Sequence, residues 1–158
     1  MSNSLKGKSC LFFGSDNCVY TKDCIEILKK YEMNISIIFS NKRDEKIPTE
    51  AIAWKGDFIF SYRNYWLLPN SMLKSADVMA INFHPATPNF PGSGSYSWAL
   101  YENSKIFGIT VHLMNYKFDN GKILDVFTFP IDKTETIKTL IKKTSKFSVF
   151  VFQNFIGK

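Results

Sequence analysis

At 158 residues with 45% apolar side chains, the chain is sized for one domain with a full core. Its net charge of +6 is almost all lysine, since Arg43 and Arg63 are the only arginines, and the lysines scatter instead of lining a face with aromatics, which argues against a nucleic-acid partner. No apolar run approaches the roughly 18 residues of a membrane-spanning helix, and the polar start MSNSLKGKS lacks the apolar centre of a signal peptide, so a cytoplasmic protein with no membrane partner is expected.

Lys8 to Gly14 reads as a first strand, its apolar run Cys10-Leu11-Phe12-Phe13 suiting a buried parallel position. Gly14-Ser15-Asp16-Asn17 turns into a helix over about Thr21 to Tyr31, with Cys24, Ile25, Ile27 and Leu28 inward. Cys18 and Cys24 flank the start of that helix, where a thiol can be activated; ordinary half-buried thiols are the other reading. The three cysteines form no C-x-x-C pair and no zinc framework, so no metal is expected. Ile35 to Phe39 is a second strand. Asn41 to Glu50, charged and holding Pro48, is loop, with a short helix or turn through Trp54; this crossover is brief for a βαβ unit.

Phe58 to Ser61 is a third strand, Pro69 to Ser75 a short helix and Val78 to Phe83 a fourth strand. Tyr96 to Asn103 is helical, entered from a glycine-rich loop. Ile109 to Asn115 and Ile123 to Phe129 are β-like, joined by a loop holding Asp119-Asn120-Gly121, whose Asn-Gly pair is a turn signal. Asp132 and Glu135 have capping-box spacing ahead of a helical stripe through Ile137, Leu140 and Ile141. Strands alternating with helices predict an α/β fold with a single open, mostly parallel sheet. No Gly-x-Gly-x-x-Gly follows the first strand, and no P-loop lysine motif occurs. Gly92-Ser93-Gly94 follows three prolines and reads as a substrate-loop hinge.

The chemistry concentrates in Ile81-Asn82-Phe83-His84-Pro85, then Phe90-Pro91-Gly92-Ser93-Gly94, then Gly108-Ile109-Thr110-Val111-His112 and Asp119-Asn120-Gly121. Both histidines of the chain fall in these segments. Asn82 and His84 are two residues apart on a strand, so their side chains face one way. In an open α/β sheet they lie at the carboxyl end, where ligands bind. An amide can donate to a developing oxyanion, an imidazole can relay protons, and a carboxylate can orient that imidazole or take the proton of an attacking amine. Taken singly, Asn82 also reads as a polar strand end, His84 as a structural hydrogen-bonder, Asp119 as an Asx-turn residue and His112 as a core histidine.

Together these segments resemble the folate-dependent formyltransferases. In that family an Asn-x-His-Pro segment, a Pro-Gly loop, a Gly-x-Thr-x-His strand and an Asp-x-Gly turn recur in this order. The resemblance covers Phe58 to about Leu140 well and the first strand and helix loosely. It implies a Rossmann-like formyltransferase fold, catalytic roles for Asn82, His84 and Asp119, and a supporting role for His112. It implies N10-formyltetrahydrofolate as donor, its pterin held by backbone groups near Trp66, Leu67 and Leu68 and near Asn115, Tyr116 and Phe118. For Trp66, Leu67 and Leu68, plain core packing is the competing reading.

Asn-Phe-His-Pro-Ala-Thr-Pro-Asn-Phe-Pro-Gly followed by Ser-Tyr-Ser-Trp-Ala-Leu-Tyr-Glu looks most like the sugar-amine branch. That implies a nucleotide-linked amino sugar as acceptor and partner, with Gly94 and Tyr96 shaping its site. Tyr96 and Tyr101 read equally as helix packing. Pro91 stands where the tRNA branch usually has arginine. The chain departs from the family in its abbreviated segment between the second and third strands, in Gly14-Ser15-Asp16-Asn17 replacing a glycine-rich first loop, and in lacking the C-terminal accessory region of sugar-type members; one catalytic domain over 1–158 is expected. Glycinamide ribonucleotide formylation and a folate- or nucleotide-binding protein without turnover are the alternatives. Phe147, Phe150, Phe152 and Phe155 crowd one terminal element; a homodimer contact or partner domain accounts for the excess, and core packing is the other reading.

Overall fold

The computed structural model describes residues 5–158. A six-stranded sheet runs in the order β2-β1-β3-β4-β5-β6. Its strands are β1 (Ser9–Gly14), β2 (Asn34–Phe39), β3 (Gly56–Tyr62), β4 (Ala76–His84), β5 (Ile106–Leu113) and β6 (Ile123–Pro130). The pairs β1–β2, β1–β3 and β3–β4 are parallel, whereas β4–β5 and β5–β6 are antiparallel. The helices are α1 (Val19–Lys30), α2 (Thr49–Ala53), α3 (Asn70–Leu73), α4 (Ser95–Tyr101) and α5 (Ile137–Ile156).

The two-residue alternation of the strands sorts the core onto both faces. Cys10 and Phe12 of β1, and Phe58, Phe60 and Tyr62 of β3, pack under α1 and α5, against Cys24, Leu28 and Phe152. Leu11 and Phe13 of β1 and Ile59 of β3 point the other way, against Ala51, Trp66 and Met72. Phe152 is the hub of the first face: its ring meets those of Phe12, Phe60, Tyr62 and Phe83, with Phe83 at 4.7 Å between centroids. A satellite cluster of Ala86, Phe90, Ala99, Phe107 and Leu140 supports the segment after β4.

The chain leaves β1 toward β2 on one side and returns across it to β3 on the other. This reversal opens a crevice at the carboxyl ends of the parallel strands. The crossover needs only the five-residue α2, because it spans a single intervening strand. The terminal aromatics divide: Phe152 is fully buried, Phe147 and Phe155 pack partly into the core, and Phe150 is 54% exposed.

Two local expectations are corrected. The box capping α5 is formed by Thr136 and Thr139, whose side chains bond each other's backbone amides, and not by Asp132 and Glu135. Those two carboxylates lie one turn earlier and both hold Lys143, at 2.9 and 3.3 Å. The Asn-Gly pair does not make a tight hairpin either. The loop spans residues 114–122, and its left-handed residue is Asp119, with φ 47°. Gly121 answers a different demand: a Cβ there would stand 1.5 Å from the Leu113 carbonyl oxygen, where the neck of the loop closes. No described helix is long and apolar enough to cross a membrane.

Candidate active site

β4 delivers Asn82 and His84 at its carboxyl end, and its antiparallel partner supplies the next group. Asn82 stands directly opposite His112 in the β4–β5 ladder, and His84 opposite Thr110. Opposed residues bring their side chains within reach of each other, and Asn82 Nδ2 lies 3.1 Å from His112 Nε2. The same Nδ2 donates to Asp119 Oδ1 at 3.1 Å. His84 Nδ1 is 3.3 Å from Asp119 Oδ2, and His112 Nε2 is 3.4 Å from Asp119 Oδ1. The backbone amide of Gly92 donates to Asp119 Oδ2 at 3.0 Å. Gly92 holds this position with φ +75°, a conformation side chains disfavour.

These contacts assign protons. The Leu113 carbonyl, 2.8 Å from His112 Nδ1, can only accept, so Nδ1 carries the hydrogen. Nε2 of the neutral ring is then free to accept from Asn82. Asn82 must present its NH2 group, since an oxygen there would face the Asp119 carboxylate. Both of its N–H groups are thereby engaged, one by Asp119 and one by His112. His84 meets an acceptor at each nitrogen: Asp119 at Nδ1, and the Phe90 carbonyl 3.0 Å from Nε2. A neutral ring donates to one of them and only the imidazolium to both. His84 and His112 are 7% and 3% exposed. Burial pushes the Asp119 carboxyl up, but the close approach of His112, the neighbouring His84 and the Gly92 amide outweigh it and hold the group below the usual carboxylate range.

A cavity of about 450 Å³ opens over this cluster, walled by the loop after β3, the Pro-Gly loop, the start of α4 and the 114–119 loop. That volume is in the range of small-molecule sites. A smaller cavity of about 150 Å³ lies against the same His84, His112 and Asp119, bounded also by Thr110 and Ile123. The three side chains thus form a wall shared by two spaces.

Of the residues singled out in the sequence, the structure brings Asn82, His84, Asp119 and His112 into one cluster. It puts Gly94, Tyr96, Trp66, Leu67, Leu68, Asn115 and Phe118 on the larger cavity. Tyr116 is not among them: it is 64% exposed, under the Lys117 ammonium, and Lys117 takes the place at the wall. Trp66 serves mainly as core. Its indole N–H donates to the Lys42 carbonyl and its ring meets Phe13 edge-on. Its backbone N–H and carbonyl are both bonded to the Asn64 amide, so the backbone groups without protein partners in this stretch are those of Leu67 and Leu68, among the described residues. Asn115 staples its loop, donating to the Asn120 carbonyl and accepting from the Lys117 amide.

Sequence reasoning missed the Phe90 carbonyl, the Gly92 amide, and the cations Arg43, Arg63 and Lys117. The one signal available was the scarcity of arginine: both arginines of the chain line this cavity.

Comparison with known proteins agrees with this architecture. The bifunctional polymyxin resistance protein ArnA of Wigglesworthia glossinidia brevipalpis is 32% identical over 98 residues, 61% of this chain and 15% of that protein. The methionyl-tRNA formyltransferase of Hydrogenobaculum sp. is 31% identical over 121 residues, 74% of this chain and 39% of that protein. The chain therefore spans well under half the length of these relatives. Among solved structures, an N-formyltransferase from Helicobacter canadensis in complex with folinic acid and dTDP-3-aminofucose shares the fold. Its TM-score is 0.79 at 18% identity, over 96% of this chain and 63% of that one. A family model described as formyl transferase matches residues 21–154, and the chain belongs to that family.

Proposed function

We propose that the protein transfers a formyl group from N10-formyltetrahydrofolate to the primary amine of a nucleotide-linked amino sugar. The observation that carries this reading is the cluster of Asn82, His84, His112 and Asp119 on the wall of the 450 Å³ cavity. The cavity suits a flat folate. Trp66, Leu68 and Met114 give it apolar surface, and the unpaired backbone groups of Leu67 and Leu68 can meet the polar edge of a pterin. The folate supplies an activated formyl carbon when bound.

The chain's own residues then have distinct tasks. Asp119, held ionised, orients His84 and accepts a proton from the attacking amine, directly or through His84. Asn82 stands at the cavity wall with its two N–H groups on Asp119 and His112, and it serves the oxygen on which charge develops by exchanging the bond to the neutral His112 for one to that oxygen. The acceptor preference rests on the nucleotide sugar in the Helicobacter canadensis complex and on the Pro-Gly loop sequence.

The test is formyl transfer from N10-formyltetrahydrofolate, read as product mass, against a panel of nucleotide amino sugars with glycinamide ribonucleotide included. One amino-sugar product that disappears in His84→Ala supports the reading. Product from glycinamide ribonucleotide alone, or from no acceptor despite folate binding, overturns it.

A further inference from the structure

Arg63 follows β3 directly, in the left-handed region with φ 56°. Its guanidinium reaches under α5, where Nη2 donates to the Ser145 hydroxyl. Its Nε is buried with no hydrogen-bond partner among the described residues. No carboxylate lies within ion-pair distance of it among the described residues. A guanidinium keeps its charge and offers five donors in a rigid fork. Leaving such a group half-buried without a counter-charge is costly, and proteins ordinarily avoid it.

Tyr96 adds an independent observation from a different element. It enters from the first turn of α4, and its hydroxyl is also buried without a partner, lying beside Arg63 and Thr144 with no hydrogen bond of good geometry to either. Both residues line the 450 Å³ cavity, next to Gly94 and Ser95. Among the described residues Asp119 is the only carboxylate on that cavity, and it is already bonded to Asn82 and Gly92 and in contact with the histidines. The Arg63 end therefore holds a fixed positive charge with no carboxylate among the described residues to neutralise it.

We propose that Arg63, assisted by the Tyr96 hydroxyl, is the specificity residue that holds an anionic oxygen group of the acceptor, of phosphate or diphosphate chemistry. This assignment rests on the formyl-transfer reading for its acceptor, but the site itself is a binding claim. A planar fork facing an oxyanion gains two parallel hydrogen bonds, which a lysine at the same place does not provide. The carboxylates of a folate tail carry similar chemistry and are the competing source of the anion.

The experiment measures binding of inorganic pyrophosphate and, separately, of folinic acid by calorimetry to the wild-type chain, Arg63→Gln, Arg63→Lys and Tyr96→Phe. Circular dichroism and Tm check the fold of each. The expected result is pyrophosphate affinity weakened by about tenfold or more in Arg63→Gln, weakened less in Arg63→Lys and Tyr96→Phe, with folinic acid unchanged. In the wild-type protein, pyrophosphate should slow phenylglyoxal modification of Arg63 more than that of Arg43, read by peptide mass; this arm needs no variant to fold. Equal pyrophosphate binding by wild type and folded variants overturns the proposal, as does loss of folinic acid binding alone. These readouts need no turnover. A chain that transfers nothing yet binds pyrophosphate through Arg63 refutes the transfer reading and keeps the anion site.

Discussion

At the residue scale, the site depends on backbone groups as much as on side chains. Gly92 illustrates this. A Cβ at Gly92 meets nothing within 4 Å, so space is not the obstacle. The obstacle is its φ of +75°, which costs an L-residue about 1 kcal/mol or more. Gly92→Ala is expected to lower Tm slightly while reducing transfer by about tenfold or more, because relief of that strain rotates the amide away from Asp119. A stopped assay alongside a thermal melt checks both halves. The thiols give a second residue-level expectation. Burial raises Cys10 to about 12 and pushes Cys24 higher still. Both are fully buried, and Cys18 is not. Native protein should therefore release one thiol's worth of colour with a disulfide reagent, and three after unfolding.

At the element scale, β1 and β3 are pinned at their entry by Asp57, which accepts from the Lys8 ammonium at 2.7 Å and from the Ser9 amide and hydroxyl at 2.9 Å each. These bonds, that of Lys8 foremost, depress its carboxyl to about 2. A depressed folded value means stabilisation that is complete above the ordinary carboxylate range and fades as pH falls toward about 2. Wild type should melt above Asp57→Asn at neutral pH, with the gap closing across that acidic window. The elements were also where the sequence was most legible. Phe12 and Phe13 in a continuous apolar run declare a strand covered on both faces, and the Cys24–Leu28 spacing declares a helix with one buried stripe. Local spacing failed where two solutions compete within a few residues: Asp132 and Glu135 have the right interval for a cap, but Lys143, in the second turn of α5, claims both. Pairings across strands were beyond it altogether. Nothing near Asn82 or His112 announces that β4 and β5 set them opposite each other, so His112 looked peripheral when it contacts both Asn82 and Asp119. The same holds for Arg63 meeting Ser145 and Tyr96 across three elements.

At the scale of the whole molecule, one helix closes the principal core. Phe152 contributes a fully buried ring in contact with aromatics from β1, β3 and β4. Phe152→Ala is expected to cost about 3–5 kcal/mol, a large share of a small domain's stability, and urea titration should find its midpoint sharply lowered or the native state gone. Phe150, exposed on the same helix, should tolerate alanine with little change in the same titration.

The position of α5 also sets an order of events during synthesis. The core face under α1 cannot be filled from the first strands alone, because its central ring arrives only with α5, after all six strands. A ribosome that has released β1 to β4 therefore presents a sheet with an uncovered aromatic face, and holds it in that state until α5 clears the exit tunnel. Long-range closure of this kind slows folding, and it makes the interval before α5 emerges the period in which the nascent chain most needs a chaperone.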